Sequence, residues 1–194
     1  MLGLKLPSDP RWVDLAEKQL EEVLTDHAYC EQKAATACIS LIQMYPDKMD
    51  MVDQLVPIVT EEWGHFRMVL DKLKSYNLSL GRQRKDEYVN ALISFQKKGG
   101  SRDDRLVEKL LTCALIEARS CERFRLLSIH LKDDDLKQFY HKLMASEAGH
   151  YRLFLDLAIR YGRSEKEVKK RWQEYLVYEA KVMKNLQVRG DRVH

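Results

Sequence analysis

The sequence is poor in the residues that interrupt regular structure. Its 194 residues include only 8 glycines and 4 prolines, the two residue types that most often end helices and form turns. Leucine, lysine, glutamate, alanine and arginine, which favour helices, are abundant instead. This composition predicts an all-α fold, and a chain of this length suits one domain with a substantial core.

Long apolar segments and zinc-type cysteine patterns are missing as well. No apolar run approaches the roughly 18 residues that a membrane-spanning helix requires, and residues 1–10 lack the basic and apolar regions of a signal peptide. We therefore expect a cytoplasmic protein that does not enter a membrane. The four cysteines lie inside helical patterns in two pairs, eight residues apart within each pair. That spacing matches no zinc site, so we expect them to be small buried apolar residues.

Local signals predict a series of helices separated by short breaks. A polar pair before Pro10 can cap a first helix, and we expect the chain to bend near residues 25–26. Gly162 is predicted to end a helix, and Ser164 with Glu167 forms a capping box for the next one. The later helices are predicted over about 26–45 (helix A), 48–76 (helix B), 83–97, 103–131 (helix C), 136–161 (helix D) and 164–185.

Helices A–B and C–D form two hairpins of similar size. The predicted architecture is a four-helix bundle with additional helices at the N-terminus, between the hairpins and at the C-terminus. We predict a single domain over residues 1–194, with the core bundle over about 25–161 and a basic C-terminal helix and tail over about 164–194.

Two copies of a Glu-x-x-His motif carry the clearest chemical signal. Glu62 and His65 lie in helix B, and Glu147 and His150 lie in helix D. Residues three apart on a helix share a face, so each pair can ligate a common centre. Each pair also lies in an apolar stripe, where a buried glutamate and histidine need a compensating charge. Because a cation supplies that charge, the sequence predicts a metal site.

The first helix of each hairpin should supply one further glutamate. In helix A this residue is Glu31, which precedes Glu62 by 31 residues. Its same-face neighbours are mostly small or apolar: Leu24, His27, Ala28, Ala34, Ala35 and Cys38. His27 lies one turn before Glu31 and is either a partner of that glutamate or an ordinary core histidine. We expect His130 and His141 at helix ends or on the surface.

Helix C offers two candidates for the corresponding ligand. Glu117 has mainly apolar neighbours on its face and precedes Glu147 by 30 residues, close to the 31 residues of the first hairpin. Glu122 precedes Glu147 by only 25 residues, and Arg119 and Arg125 on its face could neutralise it without a metal. The spacing favours Glu117, and Glu122 stays the alternative.

The resulting donor set consists of four carboxylates and two imidazoles. The ferritin-like carboxylate proteins have this ligand set: one glutamate from each of two helices and a Glu-x-x-His pair from each of the other two. Four carboxylates neutralise two divalent ions, and oxygen and nitrogen donors without thiolate suit iron or manganese. We therefore predict a di-iron centre with no catalytic residues beyond its ligands. The predicted ligands are Glu31, Glu62, His65, Glu117, Glu147 and His150.

Four segments of the sequence carry a family resemblance. They are Ala-Tyr-Cys-Glu-Gln-Lys-Ala-Ala (28–35), Glu-Glu-Trp-Gly-His-Phe (61–66), Ile-Glu-Ala-Arg-Ser-Cys-Glu-Arg-Phe (116–124) and Ser-Glu-Ala-Gly-His-Tyr (146–151). Together they resemble the MiaE-type tRNA hydroxylases, which are ferritin-like di-iron monooxygenases. The resemblance covers about residues 10–185. It implies a ferritin-like fold, two iron ions, O2 as co-substrate, and hydroxylation of the isopentenyl group of 2-methylthio-N6-isopentenyladenosine next to the anticodon of tRNA.

The resemblance also implies partners. tRNA is the expected substrate, a separate reductase is expected to supply the electrons, and we expect a monomer. The alternative is a ferritin-like di-iron protein with another role, either in iron or peroxide handling or in the hydroxylation of a small molecule.

Positive charge is concentrated in two segments. Residues 81–105 carry seven Lys/Arg against four Asp/Glu, and residues 160–194 carry ten against five. tRNA phosphates would bind such segments, and Trp172, Tyr175 and Tyr178 could stack on a loop base. However, basic helices are usually solvated faces, and aromatic residues at helical spacing usually belong to the core. The candidate tRNA-binding residues are Arg82, Arg84, Lys85, Lys169, Lys170, Arg171, Arg189 and Arg192.

Overall fold

The structure, a computed structural model, describes residues 2–186 and 188–193. Over these residues the chain forms seven α-helices and no β-strand, which confirms the all-α prediction. The helices are α1 (Arg11–Lys18), α2 (Leu20–Met44), α3 (Met49–Ser75), α4 (Glu87–Phe95), α5 (Arg102–His130), α6 (Asp134–Tyr161) and α7 (Glu165–Asn185). In this part of the chain, no helix combines the length and apolar character that crossing a bilayer requires.

The chain divides into two compact units. The α2–α3 unit contains residues 14–85 and 189–193, and α2 packs along α3 within it. The α5–α6 unit contains residues 2–13, 86–186 and 188; there α5 packs along α6, and α4 and α7 pack against them. The four long helices predicted from the sequence are therefore α2 and α3 in one unit and α5 and α6 in the other. The single-domain organisation stays a prediction.

The first helical break lies at Gln19, so the predicted bend near residues 25–26 is wrong. Thr25 and Asp26 are buried inside α2, and their polar side chains bind other segments of the same unit instead of capping a helix. The Thr25 hydroxyl accepts a hydrogen bond from the Gly81 backbone N–H at 3.1 Å. The Asp26 carboxylate accepts one from the Val193 backbone N–H at 2.9 Å.

Several predicted helix ends are confirmed. α6 ends at Tyr161 before Gly162, where an added Cβ would lie 2.2 Å from a methyl carbon of Val168. The Ser164 side chain caps α7 by accepting a hydrogen bond from the Glu167 backbone N–H at 3.2 Å. The short helix predicted over 83–97 is shorter in the structure and begins after its cap, Asp86.

The C-terminal tail lies in the α2–α3 unit, although α7 lies in the other unit. Its Arg192 pairs with Asp26 at 2.9 Å, and Asp26 also binds the Val193 backbone N–H. Arg84, from the loop after α3, pairs with Asp191 at 2.7 Å. The tail and this loop are therefore held together, and the tail is fixed to the first half of α2.

A buried ionic network lies at the centre of the α5–α6 unit. Arg119 of α5 is fully buried and donates from Nε to Glu179 of α7 at 2.8 Å and from Nη1 to Glu122 at 3.0 Å. It also reaches the N-terminal segment, where it binds the Leu6 carbonyl at 2.9 Å and the Ser8 hydroxyl at 3.1 Å. Because buried charges are tolerated only when they are paired, the network fixes both the N-terminal segment and α7 to α5.

Candidate metal centre

Three predicted ligands come together in the α2–α3 unit. Glu31 of α2 and Glu62 and His65 of α3 are all buried, and each offers a donor atom within 4.8 Å of the others. Nδ1 of His65 lies 3.5 Å from Oε2 of Glu31 and 3.6 Å from Oε2 of Glu62. We call these residues the Glu31 triad. Its position follows from two local facts: the i,i+3 spacing puts Glu62 and His65 on one face of α3, and α2 packs along that helix.

The electrostatics of the Glu31 triad show that it requires positive charge. Burial opposes ionisation of Glu31, but hydrogen bonds with His27 and His65 outweigh it and hold the pKa of Glu31 below its usual range. Burial also opposes protonation of His65, yet the two carboxylates raise the pKa of His65 to about 10. Without a metal, a proton on His65 therefore occupies the role that a cation would take between Glu31 and Glu62.

His27 is a hydrogen-bond partner of the triad. Its Nε2 lies 2.6 Å from Oε1 of Glu31, and the histidine is completely buried. This contact is the one expected of a partner of Glu31, and whether that glutamate is a metal ligand stays a prediction. His130 and His141 are exposed, as expected from the sequence.

The other three predicted ligands come together in the α5–α6 unit. Glu117 of α5 and Glu147 and His150 of α6 are buried, and each offers a donor atom within 4.8 Å of the others. Nε2 of His150 lies 3.5 Å from the Ser146 hydroxyl, one turn earlier on α6. We call these residues the Glu117 triad. It repeats the composition of the Glu31 triad, with one glutamate from the first helix of the hairpin and a Glu-x-x-His pair from the second.

The structure separates Glu117 from its alternative, Glu122. Glu122 accepts hydrogen bonds from the Ser8 backbone N–H at 2.8 Å and from the Ser8 hydroxyl at 2.6 Å, and it pairs with Arg119 at 3.0 Å. Its negative charge is therefore neutralised within the protein. Glu117 instead lies with Glu147 and His150, which is the arrangement that its spacing predicted.

The chemistry of both triads fits a divalent transition metal. Each triad offers two carboxylates and one imidazole, so two negative charges are available for each dipositive ion. Oxygen and nitrogen donors of this kind suit iron or manganese. All six side chains are buried, which keeps the carboxylates from being satisfied by bulk water.

Four of the candidate tRNA-binding residues are engaged inside their units. Arg171, with a side chain only 11% exposed, pairs with Glu108 at 2.8 Å. Arg84 and Arg189 both pair with Asp191, and Arg192 pairs with Asp26. The four others are exposed, and Lys169 pairs with Glu165 on the surface of α7. The exposed candidates are Arg82, Lys85, Lys169, Lys170 and Arg189.

The aromatic residues of α7 are packed rather than presented to solvent. Tyr175 is completely buried, and its hydroxyl donates to a Glu108 carboxylate oxygen at 2.8 Å. Tyr178 stacks on Phe95 with ring centroids 4.1 Å apart, and Trp172 is buried. Trp172 and Tyr175 therefore belong to the core, which is the role that their helical spacing favoured, whereas Tyr178 is half-buried and its contact with RNA stays a prediction.

Several partners in these networks were not predictable from the sequence. Buried ion pairs or hydrogen bonds join residues 60 or more positions apart, for example Arg119 and Glu179, which are separated by 60 residues. Ser8 and Glu108 have partners at least as distant. No local pattern links such residues. The local spacings of His27 with Glu31 and of Arg119 with Glu122 were visible in the sequence, and the first of them left two roles open.

Comparisons with known proteins agree with this geometry. A protein of Pseudomonas putida named tRNA 2-(methylsulfanyl)-N(6)-isopentenyladenosine(37) hydroxylase is 37% identical over 82% of this chain and 76% of its own length. A protein of Salmonella typhimurium with the same name is 28% identical over 80% of this chain and 74% of its own length. A solved structure described as Protein 43 with aldehyde deformylating oxygenase activity, from Synechococcus, matches with a TM-score of 0.91 and 32% identity. It covers 98% of this chain and 94% of its own, and the likeness confirms the all-α, ferritin-like fold.

The family assignment covers almost the whole sequence. The family model described as tRNA-(MS2IO6A)-hydroxylase (MiaE) matches residues 3–194, a range that includes both triads. The relatives from Pseudomonas putida and Salmonella typhimurium carry the corresponding hydroxylase name. The chain therefore belongs to the tRNA-(MS2IO6A)-hydroxylase (MiaE) family.

Proposed function

We propose that this protein is an O2-dependent di-iron monooxygenase. It hydroxylates the isopentenyl group of 2-methylthio-N6-isopentenyladenosine, next to the anticodon of tRNA. The observation that carries the proposal is the presence of two buried Glu-Glu-His triads in a chain of a tRNA hydroxylase family. The reaction inserts one oxygen atom of O2 into a C–H bond. The other oxygen atom leaves as water and takes up two protons and two electrons from an external donor.

The six residues of the two triads are the proposed ligands of two iron ions. Their four carboxylates balance the charge of two Fe(II) ions, and their two imidazoles complete the donor set. When bound, iron supplies the activation of O2 that attack on an unactivated C–H bond requires. The ligands are Glu31, Glu62 and His65 in one unit and Glu117, Glu147 and His150 in the other.

The apolar residues beside each triad have the task of excluding water. Ala28 and Ala35 lie one turn to either side of Glu31 on α2, and both are buried. Phe154 lies one turn after His150 on α6 and is buried as well. A dry surrounding strengthens the binding of charged ligands to a cation, and it protects the reaction from side reactions with water.

The electrons, the location and the assembly state follow from the same proposal. A separate reductase supplies the two electrons that balance the reaction. The protein acts in the cytoplasm, where tRNA is modified, and it acts as a monomer. Size-exclusion chromatography tests the assembly state, because a multi-subunit shell would support an iron-storage role instead.

The proposed RNA contacts are the exposed cations that pair with no buried carboxylate among the residues that the structure describes. Arg82 and Lys85 lie on the α2–α3 unit, and Lys169 and Lys170 lie on α7 of the other unit. Phosphate contacts of this kind fix the position of RNA without reading its sequence, and they weaken as salt is added. Arg84, Arg171, Arg189 and Arg192 are less suited to this role, because each is held by a carboxylate of its own unit.

A matched pair of charge reversals tests the α7 contact. Lys170→Glu should weaken tRNA binding and lower the slope of log affinity against log salt. Lys142→Glu makes the same charge change at an exposed position of α6 outside the candidate set, so it should leave both quantities unchanged. Equal affinities for the two variants in a filter-binding or electrophoretic assay would remove Lys170 from the RNA contact.

Nucleoside mass spectrometry tests the reaction itself. tRNA from a strain lacking the gene should lose the hydroxylated nucleoside and accumulate its unhydroxylated precursor. The wild-type gene should restore the product, and Glu147→Gln should not. An unchanged nucleoside profile would contradict the proposal.

The likeness to the Synechococcus protein provides a second candidate, the deformylation of an aldehyde. The iron-loaded protein with a reductase can be offered aldehydes of several chain lengths in parallel with precursor tRNA. Release of formate from an aldehyde, without any change in tRNA, would favour that second function.

A further inference from the structure

We propose that the two iron positions are inequivalent, because His27 positions Glu31 through a hydrogen bond, whereas a cysteine stands at the equivalent position before Glu117. The Glu31 triad then binds its metal more tightly than the Glu117 triad and fills first. This inference rests on the di-iron function proposed above and concerns the order and affinity of metal loading. His27 is a positioning residue, since it acts on the metal through Glu31.

The contact between His27 and Glu31 fixes the two carboxylate oxygens in different roles. Oε1 of Glu31 lies 2.6 Å from Nε2 of His27, and Oε2 lies 3.5 Å from Nδ1 of His65. An ionised carboxylate can only accept hydrogen bonds, so Nε2 of His27 carries the hydrogen. Oε1 is therefore occupied by His27, and Oε2 faces the other members of the triad.

Burial makes this contact a strong restraint. His27 is completely buried and Glu31 is nearly so, hence bulk water does not compete for the hydrogen bond. His27 and Glu31 are also one turn apart on α2, which lets the helix backbone hold both groups at a fixed separation. The carboxylate is consequently oriented before any metal arrives.

The corresponding position in the other unit is a cysteine. Glu31 and Glu117 occupy equivalent positions, because each precedes the glutamate of its Glu-x-x-His motif by a similar distance, 31 and 30 residues. His27 lies four positions before Glu31, and the residue four positions before Glu117 is Cys113. A thiol is a weak hydrogen-bond donor. Glu31 thus has an imidazole donor one turn earlier on its helix, whereas Glu117 has a thiol at that position. The two first-helix glutamates therefore differ in how firmly they are held.

The difference should appear directly in metal affinity. Loss of a hydrogen-bond partner of a metal ligand typically weakens metal binding by about 10- to 100-fold. A free carboxylate must also lose side-chain freedom when it binds, whereas an oriented one has already lost it. We therefore expect the two triads to differ in affinity by a factor in this range.

Anaerobic calorimetric titration of the metal-free, full-length protein with Fe(II) tests the inference. The wild type should bind two ions per chain in two resolved steps. His27→Leu, which removes the donor, should weaken the tighter step by about 10- to 100-fold and merge the two steps. His27→Gln, whose amide N–H can donate to Glu31, should restore much of the difference. His141→Leu removes an exposed histidine and should behave as the wild type does.

A gain-of-contact variant keeps the test decisive if His27→Leu fails to fold. Cys113→His places an imidazole four residues before Glu117 and should tighten the weaker step while leaving the tighter one unchanged. Two equal steps in the wild type, or unchanged steps in both His27→Leu and Cys113→His, would overturn the inference and leave the di-iron site intact. No binding of Fe(II) by the wild type would instead overturn the proposed function.

Discussion

Changing Glu122 and Glu117 separately to glutamine should lower stability in one case and metal content in the other. Glu122 accepts three hydrogen bonds, two from Ser8 and one from the buried Arg119. Glutamine keeps the shape but removes the charge. Because a hydrogen bond to a charged group contributes roughly 1.5–3 kcal/mol, and Arg119 keeps its second partner Glu179, we expect a loss of about 2 kcal/mol. For a chain of this size that corresponds to a fall in Tm of about 4–8 °C.

Glu117→Gln should have the opposite profile. Glu117 lies beside another carboxylate, Glu147, in a buried triad, where two like charges oppose each other in the absence of a metal. Removing one of them should leave the Tm of the metal-free protein unchanged or higher. The variant should lose iron, because its triad keeps only one carboxylate for a dipositive ion.

Two measurements on the same preparations separate these outcomes. The thermal unfolding of the metal-free proteins gives the stability difference, and elemental analysis after anaerobic loading gives the iron content per chain. Glu122→Gln should keep the iron content of the wild type. If Glu122→Gln loses iron without any change in Tm, while Glu117→Gln keeps it, the ligand role belongs to Glu122 and the reasoning from the buried ion pair is wrong.

Three further predictions concern the α5–α6 unit. Arg171→Gln should lower the Tm without changing iron content, because it leaves Glu108 buried without its charged partner. Burial opposes ionisation of Glu108, but the ion pair with Arg171 outweighs burial and holds the pKa of Glu108 below its usual range. The ionised Glu108 therefore stabilises the protein above about pH 4.5, and this stabilisation is lost as the pH falls further. Glu108→Gln should remove that part of the acid dependence of the unfolding free energy. Gly162→Ala should lower the free energy of unfolding in urea by about 1–3 kcal/mol, because its Cβ would lie 2.2 Å from Val168. At Gly149 no atom lies within 4 Å of an added Cβ, so Gly149→Ala should stabilise α6 by about 1 kcal/mol.

Helix positions and the grouping of the candidate ligands were largely predictable because their causes are local. Gly162 and Ser164 mark a helix end and a helix start, and the structure places both as predicted. The i,i+3 spacing likewise fixes which side chains share a face, so each Glu-x-x-His pair was visible without any knowledge of the fold. The choice of Glu117 over Glu122 followed from comparing the two hairpins.

Contacts between distant segments were not predictable. A bend was predicted near residues 25–26, but Thr25 and Asp26 lie within α2 and their partners are Gly81 and Val193. The basic character of Arg171 suggested an RNA contact, yet its partner Glu108 lies 63 residues earlier in the chain. In both cases a polar side chain that looked available to solvent was satisfied by a segment that no local pattern identifies.

The Arg119 network has a consequence for the order in which the chain folds during synthesis. Arg119 joins Leu6 and Ser8, which are translated 113 and 111 residues earlier, to Glu179, which is translated 60 residues later. Until α7 leaves the ribosome, the guanidinium lacks Glu179 and keeps only Glu122 as a charged partner, so its burial is less favourable. We therefore expect the N-terminal segment to dock on α5 only late, because contacts of such long sequence separation are formed slowly. Closure of this network should be the last and slowest event of folding in the α5–α6 unit, well after both of its long helices have formed.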